Sequence, residues 1–132
     1  MNKFQLKSGS MVEFNLASIE QALTLFRTIV LECKNAGLEL TMNEDTKLVE
    51  LFLKNTPAFL NVLGSEMVLE AVKGCCNKVL YNKQRFSMEL FEDEKARGDF
   101  FGVMTLVAME NLTPFFPEAR TVSSIILSQF VR

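Results

Sequence analysis

The chain has 132 residues, 48% hydrophobic and 23% charged, with a formal net charge of −2; that is the composition of one globular domain with a true core, and it excludes an intrinsically disordered segment. No cluster of Lys and Arg exceeds two or three residues, so the electrostatic footprint of a nucleic-acid-binding protein is missing. Histidine is absent, which removes the usual general base near neutral pH, the triad imidazole and the commonest zinc ligand.

Residues 1–16 read as a β-hairpin. Phe4 and Leu6 alternate with polar neighbours, Ser8-Gly9-Ser10 supplies turn residues, and Val12, Phe14 and Leu16 resume the alternation. A lone hairpin is marginal in water, so it has to rest on helices or on another sheet edge. A helical body is expected over 17–132. Ser18 and Gln21 form a capping box that starts a helix running to Ala36, with Gly37 as its C-terminal cap. Its apolar stripe is Ile19, Ala22, Leu23, Phe26, Ile29, Val30 and Cys33.

A second helix is predicted over Glu44 to Lys54, capped by Asn43 or Thr41. Thr56-Pro57 begins a short third helix that Gly64 ends, with proline at its start and glycine just past its end. Ser65 caps a fourth helix from Glu66 to Leu80, with Val68, Ala71, Val72, Cys75, Cys76 and Val79 on its buried stripe. Tyr81 to Gln84 reads as a turn. Polar and apolar residues then alternate over 85–90, a strand pattern, with the start of the next helix as the alternative. Asp93 caps a fifth helix reaching Asn111, with Arg97 placed to pair with Asp93 at four-residue spacing. Glu118 to Val131 forms the last helix, with Val122, Ile125, Ile126 and Phe130 on one face. The fold expected is α+β: a predominantly helical single domain with an N-terminal β-hairpin packed on five or six helices.

Residues 100–109 within the fifth helix contain only Gly102 and Thr105 that are not apolar. A helix apolar all round is central in a bundle, buried against a partner chain, or in a membrane, and this run is too short for a span. Phe115-Phe116, stiffened by Pro114 and Pro117, either plugs the core or stands out as a pre-ordered anchor for a partner. The terminal apolar residues are likewise packed on the domain or shared with another subunit.

No catalytic constellation emerges. The three cysteines, Cys33, Cys75 and Cys76, lack zinc-site spacing and make a poor disulfide framework; on a helical stripe they read as small apolar filler in a reducing compartment. MNKFQLKSGS has no apolar run of the kind a signal peptide needs. The carboxylates Glu89, Glu92, Asp93, Glu94 and Asp99 lack the spacing of a calcium loop and suit a helix start instead. Neither phosphate-loop spacing nor a GxSxG elbow is present. No catalytic residue, metal or cofactor is expected, and an enzyme is the least favoured class. Twelve Phe and seven Met, against no Trp, suit cores and adaptable contact surfaces. The candidate protein-binding residues are Phe100, Phe101, Met104, Phe115, Phe116, Ile126 and Phe130.

Two stretches carry a resemblance. KFQLKSGSMVEFNLASIEQALTLF and FEDEKARGDFF…NLTPFFP are similar to the opening and to the acidic, Arg-containing helix start and Asn-Leu-x-Pro-Phe-Phe exit of the tail assembly chaperones of long-tailed phages infecting Gram-positive hosts. The resemblance implies a non-enzymatic, largely helical protein of the host cytoplasm that binds and solubilises the tape-measure protein and helps recruit the major tail protein. It further implies a homo-oligomer that binds neither nucleic acid nor membrane. Such chaperones are often also made in a longer form by a programmed frameshift. The alternatives are a small structural protein of the phage neck or tail, and a phage-encoded inhibitor of a host enzyme or defence system.

Overall fold

The computed structural model describes residues 2–37, 56–115 and 120–132. The helix expected over Glu44–Lys54 and the side chain of Phe116 lie outside the described residues. The fold is α+β, with a four-stranded antiparallel sheet and five α-helices among the described residues.

The hairpin forms as its alternation demands. β1 (Asn2–Gln5) pairs antiparallel with β2 (Met11–Phe14), with Phe4 opposite Val12. Gly9 closes the turn at φ +98°, a left-handed conformation that glycine takes without a Cβ clash. Leu6, Val12 and Phe14 are buried, while Lys3, Gln5 and Lys7 face solvent.

The sheet does not stop at the hairpin. The fourth helix ends at Gly74, and Val79–Tyr81 forms β3 rather than its last turn. The expected stripe mixed two periods, because Val68 and Val72 are buried on the helix while Val79 and Tyr81 are buried on a strand. Gly74 weakens the helix at that point, and the open edge of β2 takes the Val-Leu-Tyr run, with Glu13 opposite Leu80. β4 covers only Gln84–Arg85, and Ser87 then caps a 3₁₀ turn over Met88–Glu92, so the strand expected over 85–90 is cut short. The β3–β4 turn has Asn82 at φ 48° and Lys83 at φ 68°, both left-handed, as a two-residue hairpin turn requires. Asn82 also ties the hairpins together: its Oδ1 accepts from the Met11 amide at 2.8 Å, and its own amide donates to the Met11 carbonyl at 2.8 Å.

α1 (Ile19–Asn35) starts at Ser18, whose Oγ accepts from the Gln21 amide at 3.2 Å, and it is followed by Gly37 at φ +79°. Its buried line is Ala22, Leu25, Ile29 and Cys33. Leu25 is fully buried, whereas Ile19 in the first turn is 63% exposed and leaves the expected stripe. Leu23, Phe26 and Val30 flank that line half-buried, so the helix is rotated toward Leu25. α2 (Thr56–Leu63) ends at Gly64, and α3 (Glu66–Gly74) is capped by Ser65 as expected.

α4 (Glu94–Leu112) is the central element, in contact with α1, α3 and α5 (Arg120–Leu127). Every residue from Gly102 to Met109 is buried, which is why this run is apolar all round. Asp93 caps it, accepting from the Ala96 amide at 3.2 Å. That orients the carboxylate onto the helix end, and Arg97 pairs with Glu92 at 3.1 Å instead of with Asp93. Near the other end Asn111 is buried, accepting from the Ala17 amide at 2.9 Å and donating to the Val107 carbonyl at 2.9 Å. It thereby fixes the β2–α1 connection to α4.

The last helix is shorter than expected. After Leu127 the chain turns, and Val131 bridges antiparallel to Leu6. The Lys7 amide donates to the Phe130 carbonyl and the Arg132 amide to the Gln5 carbonyl, each at 3.0 Å, so the last residues partly close the outer edge of β1.

Candidate functional site: an aromatic face on the central helix

Sequence singled out apolar residues in three places, and the fold separates them. Met104 is 1% exposed and Ile126 is fully buried. Both hold the core together and offer no surface in this chain, which corrects their assignment as contact residues. Their helical spacing could not distinguish a face turned to the core from one turned to a partner.

Phe100, Phe101 and Phe130 gather around the N-terminal half of α4. A chain of rings leads outward to Phe100 and Phe101. Buried Phe91 lies 5.3 Å from Tyr81, 5.6 Å from Phe86 and 5.2 Å from Phe100, the last edge-to-face at 76°. Phe100 meets Phe101 at 5.4 Å and 75°, and Phe101 is 55% exposed. Edge-to-face rings at these separations stabilise one another by about 0.5–1.5 kcal/mol beyond their burial. The side chain of Phe130 lies against Gly102: a Cβ added there would stand 3.4 Å from Phe130 Cβ and Cδ1. A Cβ at that distance is at the edge of ordinary van der Waals contact, so the packing brings Phe130 close to the backbone without by itself requiring glycine.

Phe115 is elsewhere. It sits in a 3₁₀ turn (Thr113–Phe115), half-buried against Phe26 at 6.0 Å, which favours its role as a plug. At 1.5 Å per helical residue it is about 20 Å along the axis from Phe101, so the two belong to different surfaces. Sequence analysis passed over other exposed apolar side chains, Met67 at 58% and Leu31 at 52% among them. Both fall off the periodic stripe of their helix, so the spacing set them apart from the core without marking them as a contact.

The polar chemistry is closed on itself. Asp99 is buried and accepts from the Tyr81 hydroxyl at 2.5 Å. The Tyr81 hydroxyl has one hydrogen and directs it to the carboxylate as a hydrogen bond, so Ser10, 3.2 Å away, donates to the phenol oxygen and accepts from Asn82 Nδ2 at 3.3 Å. Burial first, then the hydrogen bond to Asp99, raises the Tyr81 pKa above its ordinary value, so the phenol stays protonated. A cleft of about 190 Å³ opens beside this network between Ser10, Leu90 and Lys95, smaller than the usual small-molecule site of about 300–1,000 Å³. Among the described residues every buried side-chain polar atom has a partner, and no group of three His, Cys, Asp or Glu residues is placed to hold a metal ion.

The thiols are buried and free. Desolvation pushes Cys33 and Cys75 up to about 11 and Cys76 to about 12, from 9.0; Glu32 adds to the shift at Cys33 and Cys75 to that at Cys76. Thiols held protonated are poor nucleophiles. Because the folded pKa values exceed the unfolded ones, the thiols' contribution to stability is complete below pH 9 and is lost as pH rises through 11 to 12. Urea midpoints from these groups should therefore be level between pH 7 and 8 and fall above 9. A thiol reagent at pH 8 should label the protein only as fast as it unfolds; rapid labelling of the native state would contradict this assignment.

Comparison with protein-family models, with curated proteins and with solved structures finds no match to this chain. Among the described residues no helix is long and apolar enough to cross a membrane.

Proposed function

We propose that this protein is a non-enzymatic assembly chaperone of a long-tailed phage, acting in the cytoplasm of a Gram-positive host. It binds hydrophobic helical segments of the tape-measure protein, keeps them soluble, and helps recruit the major tail protein. The observation that carries the reading is the aromatic face: Phe101 is 55% exposed at the outer end of the Phe91–Phe100 ring chain, and half-buried Phe130 lies against Gly102 on the same helix. An exposed phenylalanine on a rigid buried base is a pre-ordered anchor, because little side-chain freedom is lost when it docks. Buried thiols and a self-satisfied Tyr81–Asp99 pair support a binding role over a catalytic one. Self-association through the same face fits this reading, and no membrane or nucleic-acid partner belongs to it.

The test is Phe101→Asp. The side chain is more than half exposed, so the variant should fold, with a urea midpoint lowered only by the lost ring contact to Phe100, about 0.5–1.5 kcal/mol. It should lose at least about 2 kcal/mol of partner binding, roughly thirtyfold in Kd, read as loss of soluble tape-measure fragment on co-expression. Unchanged partner solubility with a folded variant would sink the aromatic-face reading. Mass spectrometry of purified particles should not find the protein; its presence there would favour the structural-component alternative.

A further inference from the structure

The sheet has a second face, turned away from the helices. The strand register aligns Lys3, Glu13, Leu80 and Arg85 in one row across β1 to β4. Lys78 precedes buried Val79 and so falls on the same outer side by the alternation of a strand. Lys7 and Arg132 extend the face at the β1 edge, where the Arg132 guanidinium donates to the Lys7 carbonyl at 3.0 and 3.3 Å. Lys83 stands in the β3–β4 turn. All six cations are exposed, and among the described residues none is in an ion pair.

Six cations and one carboxylate, Glu13, make a local +5 in a chain whose net charge is −2, leaving −7 for everything else. The sequence conceals this because the cations come from positions 3, 7, 78, 83, 85 and 132 and only the register brings them together. Lysines on an edge strand discourage self-pairing, which accounts for Lys3 and Lys7. That reason does not extend to Lys78, which leads into the interior strand β3.

The centre of the face decides the kind of partner. Half-buried Met11 and Leu80 lie on the outer side among the charges, giving an apolar middle with a charged rim as in protein–protein interfaces. The outward-facing strand positions carry no aromatic ring on which bases would stack. The two apolar side chains of the face, Met11 and Leu80, are half-buried between charged neighbours and do not project as a bilayer-inserting face would. We propose that the outer face of the β1–β4 sheet docks an acidic protein segment, whose carboxylates meet Lys3, Lys78 and Arg85 around an apolar contact on Leu80 and Met11. This surface is separate from the aromatic face and does not rest on the chaperone reading.

The probe is a short fluorescent peptide of alternating glutamate and leucine, titrated onto the full chain beside a glutamine–leucine control, a single-stranded oligonucleotide and phosphatidylserine vesicles. The glutamate peptide should bind most tightly, and more weakly as salt is added. Lys3→Glu with Arg85→Glu should weaken it by about tenfold or more, with a small fall in urea midpoint because position 3 faces Glu13 across the strands. Lys3→Gln with Arg85→Gln, which adds no new charge, should give an intermediate loss, so the answer does not depend on the reversal variant folding. The proposal is overturned by failure of the glutamate peptide to bind, by equal binding of the control peptide, or by folded variants that bind as well as the parent. Tighter binding of the oligonucleotide or vesicles overturns the partner class. Dissociation of an oligomer by the double reversal would assign the face to a second copy of the chain instead.

Discussion

Phe14→Ala is expected to lower the stability of the fold by about 3–5 kcal/mol, the usual cost of truncating a fully buried phenylalanine. Phe14 ends β2, is 0% exposed, and stacks on Phe4 at 5.7 Å with an interplanar angle of 18°. In register it lies between Asn2 and Val79, on strands held to β2 by backbone ladders on both sides. Those ladders restrict how far the neighbours can move into the space a missing ring leaves, and the cost rises with the cavity that remains. Equilibrium urea melts measure it directly. A loss under 1 kcal/mol would mean that the sheet does not rest on the helices through this residue.

Tyr81→Phe is expected to destabilise by about 1–3 kcal/mol, the usual cost of leaving a buried polar group without its hydrogen-bond partner. Burial is not the cause, since the ring is kept. The variant removes the hydroxyl that donates to Asp99 at 2.5 Å and leaves a 7%-exposed carboxyl without that donor. The cost comes from the partner left behind, so the pair should be strongly non-additive. Asp99→Ala in the Tyr81→Phe background should cost less than Asp99→Ala in the parent, and a double-mutant cycle should return a coupling of about 0.5–3 kcal/mol. Additive losses would show that the two side chains do not depend on each other, and would reopen Asp99 as a group available for other chemistry.

Local patterns were informative where a single residue does a local job. Ser18, Ser65 and Asp93 cap helices because a short oxygen-bearing side chain reaches an amide of its own first turn, and Gly9 and Gly37 turn the chain because they lack a Cβ. Periodicity was less decisive. It identified a buried line on the 66–80 segment but not that the line passes from helix to strand at Gly74. A residue spaced for one period can be buried by the other, and the edge of β2, distant in sequence, chose between them.

The same limit governed the candidate site. An apolar run says that its side chains leave water, not what covers them. For Met104 and Ile126 the chain's own packing covers them; for Phe101 it does not, and for Phe130 Gly102 supplies part of the cover. The sequence by itself determined the α+β class, the N-terminal hairpin, the helix starts at Ser18, Ser65 and Asp93 and the absence of histidine chemistry, because these follow from composition and from contacts within a few residues. Only the tertiary structure decided which apolar residues are core, joined Tyr81 to Asp99, and assembled a basic face from Lys3, Lys78 and Arg85. Each of those depends on pairings between strands and helices far apart in the chain, and strand register, which no local pattern specifies, sets their geometry.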